Sequence, residues 1–337
     1  MREPEGIARI LAGAETVAIC SHVNPDGDTI GSALAMRLIL EYLGKKADCF
    51  CQDKVPENLR FLPGVNSIRH PENAAERYDL LLSVDASDTA RLGSCWEILR
   101  DRCDHIAQID HHGTNPLFAE VNSVDEDAAA TCVMIREQMK YLRVPLTGDI
   151  AQCLYAGIST DTGNFTFSCT NAEVFQVMAD IMEAGLPLSR LSEKLFRERS
   201  RAQLKLLGRA IESIRFTGKD QDIAVMNLTR KDFEDCGALS EHADTIVNYA
   251  LETTGTLMAL LARENDDGRI KCSLRAEPPY LVDGVANRLG GGGHSQASGI
   301  SMEGTLKDCT DRVLEEMRRE LEELKKNPAA GGAKREA

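Results

Sequence analysis

His22-Val23-Asn24-Pro25-Asp26-Gly27-Asp28 is the stretch whose reading decides the fold of this chain. An apolar run, Thr16-Val17-Ala18-Ile19-Cys20, ends just before it, and a helix-compatible stretch, 29–43, begins just after. The segment therefore reads as a loop at the carboxyl end of a buried strand, which is where open α/β sheets bind ligands. One imidazole and two carboxylates fall within it, and Pro25 and Gly27 alternate with the acids as a tight turn requires. A turn in which Asp28 caps the next helix accounts for one acid. It leaves His22 and Asp26 unexplained.

A hard divalent ion wants about six ligands, and the chain supplies more at matching positions. Tyr78-Asp79-Leu80-Leu81-Leu82-Ser83-Val84 reads as a buried parallel strand ending in Asp85. His105-Ile106-Ala107-Gln108-Ile109 reads the same way and ends in Asp110-His111-His112. The apolar segment 155–160, reached through a helix capped by Thr147, runs into Asp161-Thr162-Gly163. Parallel strands would bring these loops together along one rim, so six side chains converge as candidate ligands: His22, Asp26, Asp28, Asp85, His111 and Asp161.

Outward from these loops, 4–13 reads as a short amphipathic helix with Ile7, Ile10 and Leu11 on one side. The 29–43 helix has Ile30, Ala33, Leu34 and Leu38 as its buried stripe, with Gly31 and Ser32 small enough for close approach to the sheet. A short strand at 47–51, a turn-rich excursion at 53–78, a helix from a cap at Asp125 to 142 and another over 171–184 follow. Alternating strands and helices give an α/β fold with an N-terminal doubly wound, mainly parallel sheet over 1–188. Polar helices at 189–216, carrying Arg197, Arg199 and Arg201 on a solvated face, read as a linker. A smaller C-terminal α/β domain, 217–325, has strands at 223–228, 256–262 and 270–275, the last two joined by a hairpin at Asp266-Asp267-Gly268. A helix over 281–289 then meets Gly290-Gly291-Gly292-Gly293 and His294, either a helix stop or a loop whose bare backbone admits a phosphate. Residues 326–337 lack apolar periodicity and read as a disordered tail.

Composition bounds the function. At 337 residues and 43% hydrophobic the chain can bury two cores. Its 39 lysines and arginines face 53 acids, a net charge of −14, which disfavours tracking along extended nucleic acid. Short anionic substrates stay open, because bound metal ions invert the local field. Eleven cysteines without a CxxC pair read as buried reduced thiols. With neither a secretory signal nor a long apolar span, a cytoplasmic protein with no membrane contact is expected.

His22-x3-Asp26-x-Asp28, Asp85, Asp110-His111-His112 and Asp161-Thr162-Gly163, in this order, resemble the four motifs of the DHH phosphoesterase superfamily. Gly291-Gly292-Gly293-His294 resembles the signature of the DHH-associated domain, so the resemblance spans nearly the whole chain. It implies an active site in the cleft between two domains and two divalent cations, about 3.5–4 Å apart, with a bridging water as nucleophile. One ion would take His22, Asp26 and Asp85, and the other Asp28, Asp85, His111 and Asp161. Manganese suits mixed imidazole and carboxylate ligation best; magnesium, cobalt and zinc stay open. Asp110 would orient a ligand imidazole, and His112 would touch a phosphate oxygen or protonate the leaving alcohol. Asn115 resembles a family position near the site but reads equally as a turn former. In the second domain Arg275 would grip a terminal phosphate beside Gly291, Gly292, Gly293 and His294. Ala276 and Asp283 depart from the serine and asparagine of many relatives, which bears on substrate preference.

The implied activity is that of the compact nanoRNases and pAp phosphatases. These trim RNAs of two to five nucleotides and remove phosphate from 3′-phosphoadenosine 5′-phosphate (pAp). The alternatives are hydrolysis of linear or cyclic dinucleotides such as pApA and cyclic di-AMP, a RecJ-like exonuclease, which would want a further oligonucleotide-binding domain, and a non-catalytic nucleotide sensor. A homodimer is compatible with the sequence.

Overall fold

Five runs of largely apolar residues form the first sheet: β1 (Thr16–Cys20), β2 (Lys46–Phe50), β3 (Tyr78–Val84), β4 (Cys103–Asp110) and β5 (Val121–Val124). All pairings are parallel and the order is β2-β1-β3-β4-β5. This computed structural model describes residues 2–326 and divides into two units, Met1–Glu198 and Arg199–Ala337. A parallel sheet covered on both faces needs no polar alternation, which is why β1 and β3 are buried along most of their length. On one face, α1 (Pro4–Gly13), α2 (Gly27–Tyr42), α4 (Thr131–Leu142), α5 (Gly148–Asp161) and α6 (Ala172–Glu183) share the larger core. On the other, α3 (Ser94–Leu99) packs Cys95 and Leu99 against Ala18, Cys20 and Leu81. The sheet is doubly wound, as expected. Its order reverses between β1 and β3, so their carboxyl ends flank the crevice such sheets use for ligands.

Two helix starts beside the site differ from the sequence reading, while the helix read from a Thr147 cap runs, as expected, into Asp161. The helix expected from 29 begins at Gly27, and its cap is Asp26, whose Oδ1 accepts the N–H groups of Asp28 and Thr29 at 3.1 Å each. The helix expected from Asp125 begins at Thr131, because Asp125 is spent on a preceding turn, its Oδ1 accepting the Asp127 N–H. The orphan amides of that helix go instead to Asp28, whose carboxylate accepts Thr131 N–H at 2.5 Å and Cys132 N–H at 2.9 Å. The apolar segment 155–160 is the end of α5, with Ile150, Leu154 and Ile158 buried one above another at helical spacing. Asp161 therefore reaches the rim from the end of a helix.

Gly31 does not serve the sheet. A Cβ there would strike the Cys153 carbonyl of α5, and one on Gly157 would strike Cys132 Sγ and Asp28 Oδ1. The two glycines let α2 and α5 touch backbone to backbone, which holds Asp28 and Asp161 on neighbouring helices. Gly31→Ala is expected to destabilise the protein by about 1–3 kcal/mol through overpacking. A urea midpoint equal to that of the parent would show that the helices can separate freely.

The second unit is a six-stranded sheet in the order β10-β11-β9-β8-β7-β6, mixed because only β7 and β8 run parallel. Its strands are β6 (Arg215–Thr217), β7 (Ile223–Leu228), β8 (Met258–Glu264), β9 (Ile270–Ala276), β10 (Gly292–His294) and β11 (Ala297–Met302). In the expected linker, α7 (Leu188–Ser192) falls within the first unit. By contrast α8 (Arg201–Glu212) packs Leu206 and Ala210 into the second unit's core beside α9 (Arg230–Cys236) and α10 (Ile246–Leu251). On the opposite sheet face lie α11 (Asp283–Arg288) and α12 (Leu306–Lys326), with Val285, Val313 and Met317 against Leu260 and Leu274. Gly268, at φ 76°, turns the β8–β9 hairpin where expected. Lys326, the first residue of the expected tail, is helical in α12, and the rest of that tail lies outside the described residues. All eleven cysteines are free thiols, and Cys169 alone among them is exposed.

Candidate metal centre

Thr29 ties the loops after β1 and β3 together: its Oγ1 accepts the His22 N–H and donates to the Val84 carbonyl, both at 3.2 Å. Asp85, first residue past β3, takes a left-handed backbone at φ 58°, uncommon for a residue with a side chain and typical of functional sites. Its N–H donates to the Ile109 carbonyl at 3.0 Å, and its Oδ1 accepts the Thr131 hydroxyl at 3.0 Å.

Around Asp85 stand two groups of potential ligand atoms. His22 Nε2 lies 3.6 Å from Asp26 Oδ2 and 3.6 Å from Asp85 Oδ2. His111 Nε2 lies 3.5 Å from Asp85 Oδ1 and 3.2 Å from Asp161 Oδ2; it groups with Asp28 and Asp161, and also with Asp85 and His112. Ligands held at about 2.1 Å from one ion lie about 3–3.6 Å apart, so these edges are of metal-coordination size. Asp85 turns one oxygen to each group, the posture of a bridge. Both imidazoles are anchored by main-chain oxygens, since His22 Nδ1 is 2.8 Å from the Val23 carbonyl and His111 Nδ1 is 3.1 Å from the Ala128 carbonyl. A carbonyl only accepts, so each Nδ1 carries hydrogen and each Nε2 is the nitrogen turned toward the acids.

The electrostatics show what the cluster wants. Burial pulls the His22 pKa down, but its hydrogen bonds to Asp26 and Asp85 outweigh this and hold it at about 10. His111 is likewise raised, against burial, by Asp161 and Asp85. Burial, with Asp26 and Asp85 nearby, pushes Asp161 up to about 6 against the pull of His111, and burial with Asp85 and Asp161 raises Asp28. Protons thus stand where positive charge is needed. Four carboxylates and two imidazoles with convergent lone pairs fit two divalent cations, which would displace those protons. Because Asp161 keeps its proton below about pH 6 and His22 below about pH 10, apparent Mn²⁺ affinity is expected to rise with pH between 5.5 and 8. Calorimetry in buffers of different ionisation enthalpy should register the released protons; affinity flat in pH would mean that the ligands carry none.

Asp110 has a different partner from the one expected. Its Oδ1 lies 2.7 Å from His112 Nδ1, while the His22 and His111 imidazoles are oriented by main-chain carbonyls. Asn115, which the sequence allows as a turn former, donates Nδ2 to Asp110 Oδ2 at 2.6 Å. The sequence reading also misses Thr131, on the Asp85 carboxylate, and Arg91, whose Nη2 sits 3.4 Å from His22 Nδ1. Among the described residues Arg91 makes no ion pair, and only an unpaired arginine soon after Asp85 could have signalled it.

In the second unit, Arg275 lies opposite Ala297 of β11, and the backbone of His294 lies opposite the same residue in β10. Burial lowers the Arg275 pKa, and its Nη1 donates to the Leu274 carbonyl at 2.9 Å. The glycines expected as a loop are partly strand. A Cβ on Gly291 would meet the Gly299 carbonyl, and one on Gly293, at φ 142°, would meet the Ala297 carbonyl at 2.6 Å. Their bareness is needed for close pairing with β11, whereas Gly292 is open.

The chain matches the DHH family N-terminal domain over residues 16–158 and the DHHA1 domain over 224–323. It is 33% identical over 318 residues to the bifunctional oligoribonuclease and PAP phosphatase NrnA of Thermus thermophilus, covering 94% of this chain and 93% of that protein. Its identity to NrnA of Bacillus subtilis is 24%, over 92% of this chain and 96% of that one. It is also 27% identical to the cyclic-di-AMP phosphodiesterase GdpP of Geobacillus thermodenitrificans, over 86% of this chain but 45% of that protein. Among solved structures, an exopolyphosphatase-related protein from Bacteroides fragilis superposes with a TM-score of 0.89 at 22% identity, covering 94% of this chain and 95% of that one, a likeness of fold. With 33% identity to a curated relative over nearly its full length, the chain belongs to the DHH family, with a DHHA1 domain following.

Proposed function

We propose that the protein is a phosphoesterase that hydrolyses short oligoribonucleotides and pAp, with two divalent cations, manganese first, held by His22, Asp26, Asp28, Asp85, His111 and Asp161. The observation that carries this reading is the pair of ligand groups sharing Asp85, in a chain that aligns end to end with an oligoribonuclease and PAP phosphatase. Bound there, such ions supply charge neutralisation at the phosphoryl group and an acidified water. Asp85, with one oxygen toward His22 and the other toward His111, would contribute to both ion positions, and His22 and His111 would offer the Nε2 nitrogens that their carbonyl partners aim. His112, tethered by Asp110, protonates the departing alcohol. Arg275, with Gly291, Gly292, Gly293 and His294, takes the distal phosphate of the substrate. Free thiols throughout fit a reducing, cytoplasmic setting.

The likeness to GdpP keeps a second reading, hydrolysis of cyclic di-AMP or pApA, although this chain covers less than half of that protein. One panel separates them: purified protein with Mn²⁺ against pAp, two- to five-nucleotide RNAs, pApA, cyclic di-AMP and pyrophosphate. Turnover of pAp and short RNA, abolished by chelator, is expected. Preference for cyclic di-AMP would favour the second reading, and turnover of pyrophosphate alone would overturn both.

A further inference from the structure

A line of side-chain amides, buried at Gln108 and Asn122 and half-buried at Asn115, runs up to Asp110 from the sheet. Gln108 and Asn122 are register partners on β4 and β5, and Gln108 Nε2 is 2.5 Å from Asn122 Oδ1. The same Nε2 is 3.0 Å from Asn115 Oδ1, while Asn115 Nδ2 lies 3.0 Å from Gln108 Oε1, 3.3 Å from the Ala86 carbonyl and 2.6 Å from Asp110 Oδ2. Gln108 and Asp110 are fully buried.

An amide can be turned end for end, so its direction needs an external reference. Here the main chain supplies it twice. The Ala119 N–H donates to Asn122 Oδ1 at 3.2 Å and the Ala119 carbonyl accepts from Asn122 Nδ2 at 2.8 Å, so Asn122 can present only its oxygen to Gln108. The Leu117 N–H donates to Asn115 Oδ1 at 2.8 Å, which makes the other end, Nδ2, the one that faces Asp110. Gln108 then has its Nε2 toward both oxygens and its Oε1 toward Asn115 Nδ2, with no clash of like groups. The orientation is single-valued from β5 to Asp110. Since Asn115 donates to Oδ2, that oxygen is an acceptor, and Oδ1 is left to accept the Nδ1–H of His112. The imidazole is thereby held with Nδ1 protonated and Nε2 as its exchangeable end.

We propose that Asn115, backed by Gln108, is a positioning residue: it acts through Asp110 to fix the orientation and tautomer of His112 for proton delivery to the leaving alcohol. The inference rests on the phosphoesterase reading above and on His112 as its acid. Asn115 itself touches neither substrate nor metal ligand. The Ala86 carbonyl, at 3.3 Å, shares the Nδ2 hydrogen that faces Gln108 Oε1, and so sets Asn115 beside the loop that holds Asp85.

The test depends on the leaving group. A ribonucleoside alkoxide departs poorly without a proton, whereas p-nitrophenolate leaves as a stable anion. Asn115→Ala should lower kcat on a diribonucleotide by about 10²-fold with KM little changed, within the range for general-acid contributions. On bis-p-nitrophenyl phosphate the same variant should lose less than about fivefold. Gln108→Met, isosteric and without amide donors, should show the same split at smaller size, and serves if Asn115→Ala folds poorly. Mn²⁺ stoichiometry by calorimetry should remain that of the parent protein. Equal losses on both substrates, or no loss on the dinucleotide, would overturn the relay. Failure of the parent protein to turn over either substrate would instead overturn the activity on which it rests.

Discussion

Asp85→Ala is expected to cut turnover of short RNA and pAp by at least about 10³-fold while leaving a folded protein. Its two oxygens face different imidazoles, Oδ2 toward His22 and Oδ1 toward His111. Removing it leaves each group short of a ligand and the pair short of one negative charge. Loss of a single preorganised donor at a developing charge already costs 10²–10³-fold in other enzymes, about 3–4 kcal/mol, and here two positions are affected at once. The fold should survive, because the change deletes a buried carboxylate and opens no large cavity; the Thr131 hydroxyl loses one partner. Metal titration of the variant should show fewer than two tight Mn²⁺ equivalents. Near-parental activity with manganese would rule out the shared-ligand centre.

Arg275→Ala should act on recognition. A guanidinium that grips a desolvated terminal phosphate contributes roughly 2–5 kcal/mol, so KM for pAp and for two- or three-nucleotide RNA should rise by about 30-fold or more. Bis-p-nitrophenyl phosphate carries no second phosphate, and its kinetics should move far less. Two features of the residue favour this role over a structural one. It is partly buried on β9 with its Nη1 spent on the neighbouring Leu274 carbonyl, and it is not in an ion pair among the described residues. Steady-state kinetics on both substrates decides, since parallel losses would assign Arg275 to the integrity of the unit instead.

Much of this centre is legible in the chain because parallel strands advertise themselves. Apolar runs such as 80–84 have few alternative structures, and a charged residue at the end of each stands out against them. Asp161 obeys the same rule although its apolar run is helical, because the pattern marks burial before it marks geometry. Spacing cannot reveal partnerships made at long range. Asp28 has the sequence position of a local cap, yet its carboxylate serves a helix 103 residues away, and the local cap is Asp26. Gln108 reads as an ordinary member of an apolar strand; the available signal is a glutamine sharing strand parity with Asp110. The second unit's α12 escapes a periodicity reading despite Val313, Leu314, Met317 and Leu321 at helical intervals, its apolar stripe being thin among charges. The glycines before His294 are ambiguous in sequence because close strand pairing and phosphate approach make the same demand for a missing Cβ.

The bond from Asp28 to the head of α4 also bears on how the molecule comes into being. Ligands for one centre are drawn from His22 at one extreme to Asp161 at the other, and Asp28 cannot be held until Thr131 and Cys132 exist to hold it. During synthesis the chain must therefore carry an incomplete acidic cluster for well over a hundred residues, with nothing to neutralise it but solvent and solute cations. Contacts of such sequence separation form late. A nascent chain arrested before residue 161 should own the first ligand group and lack Asp161 of the second, so that capture of a full complement of metal would report that the chain has emerged past α5.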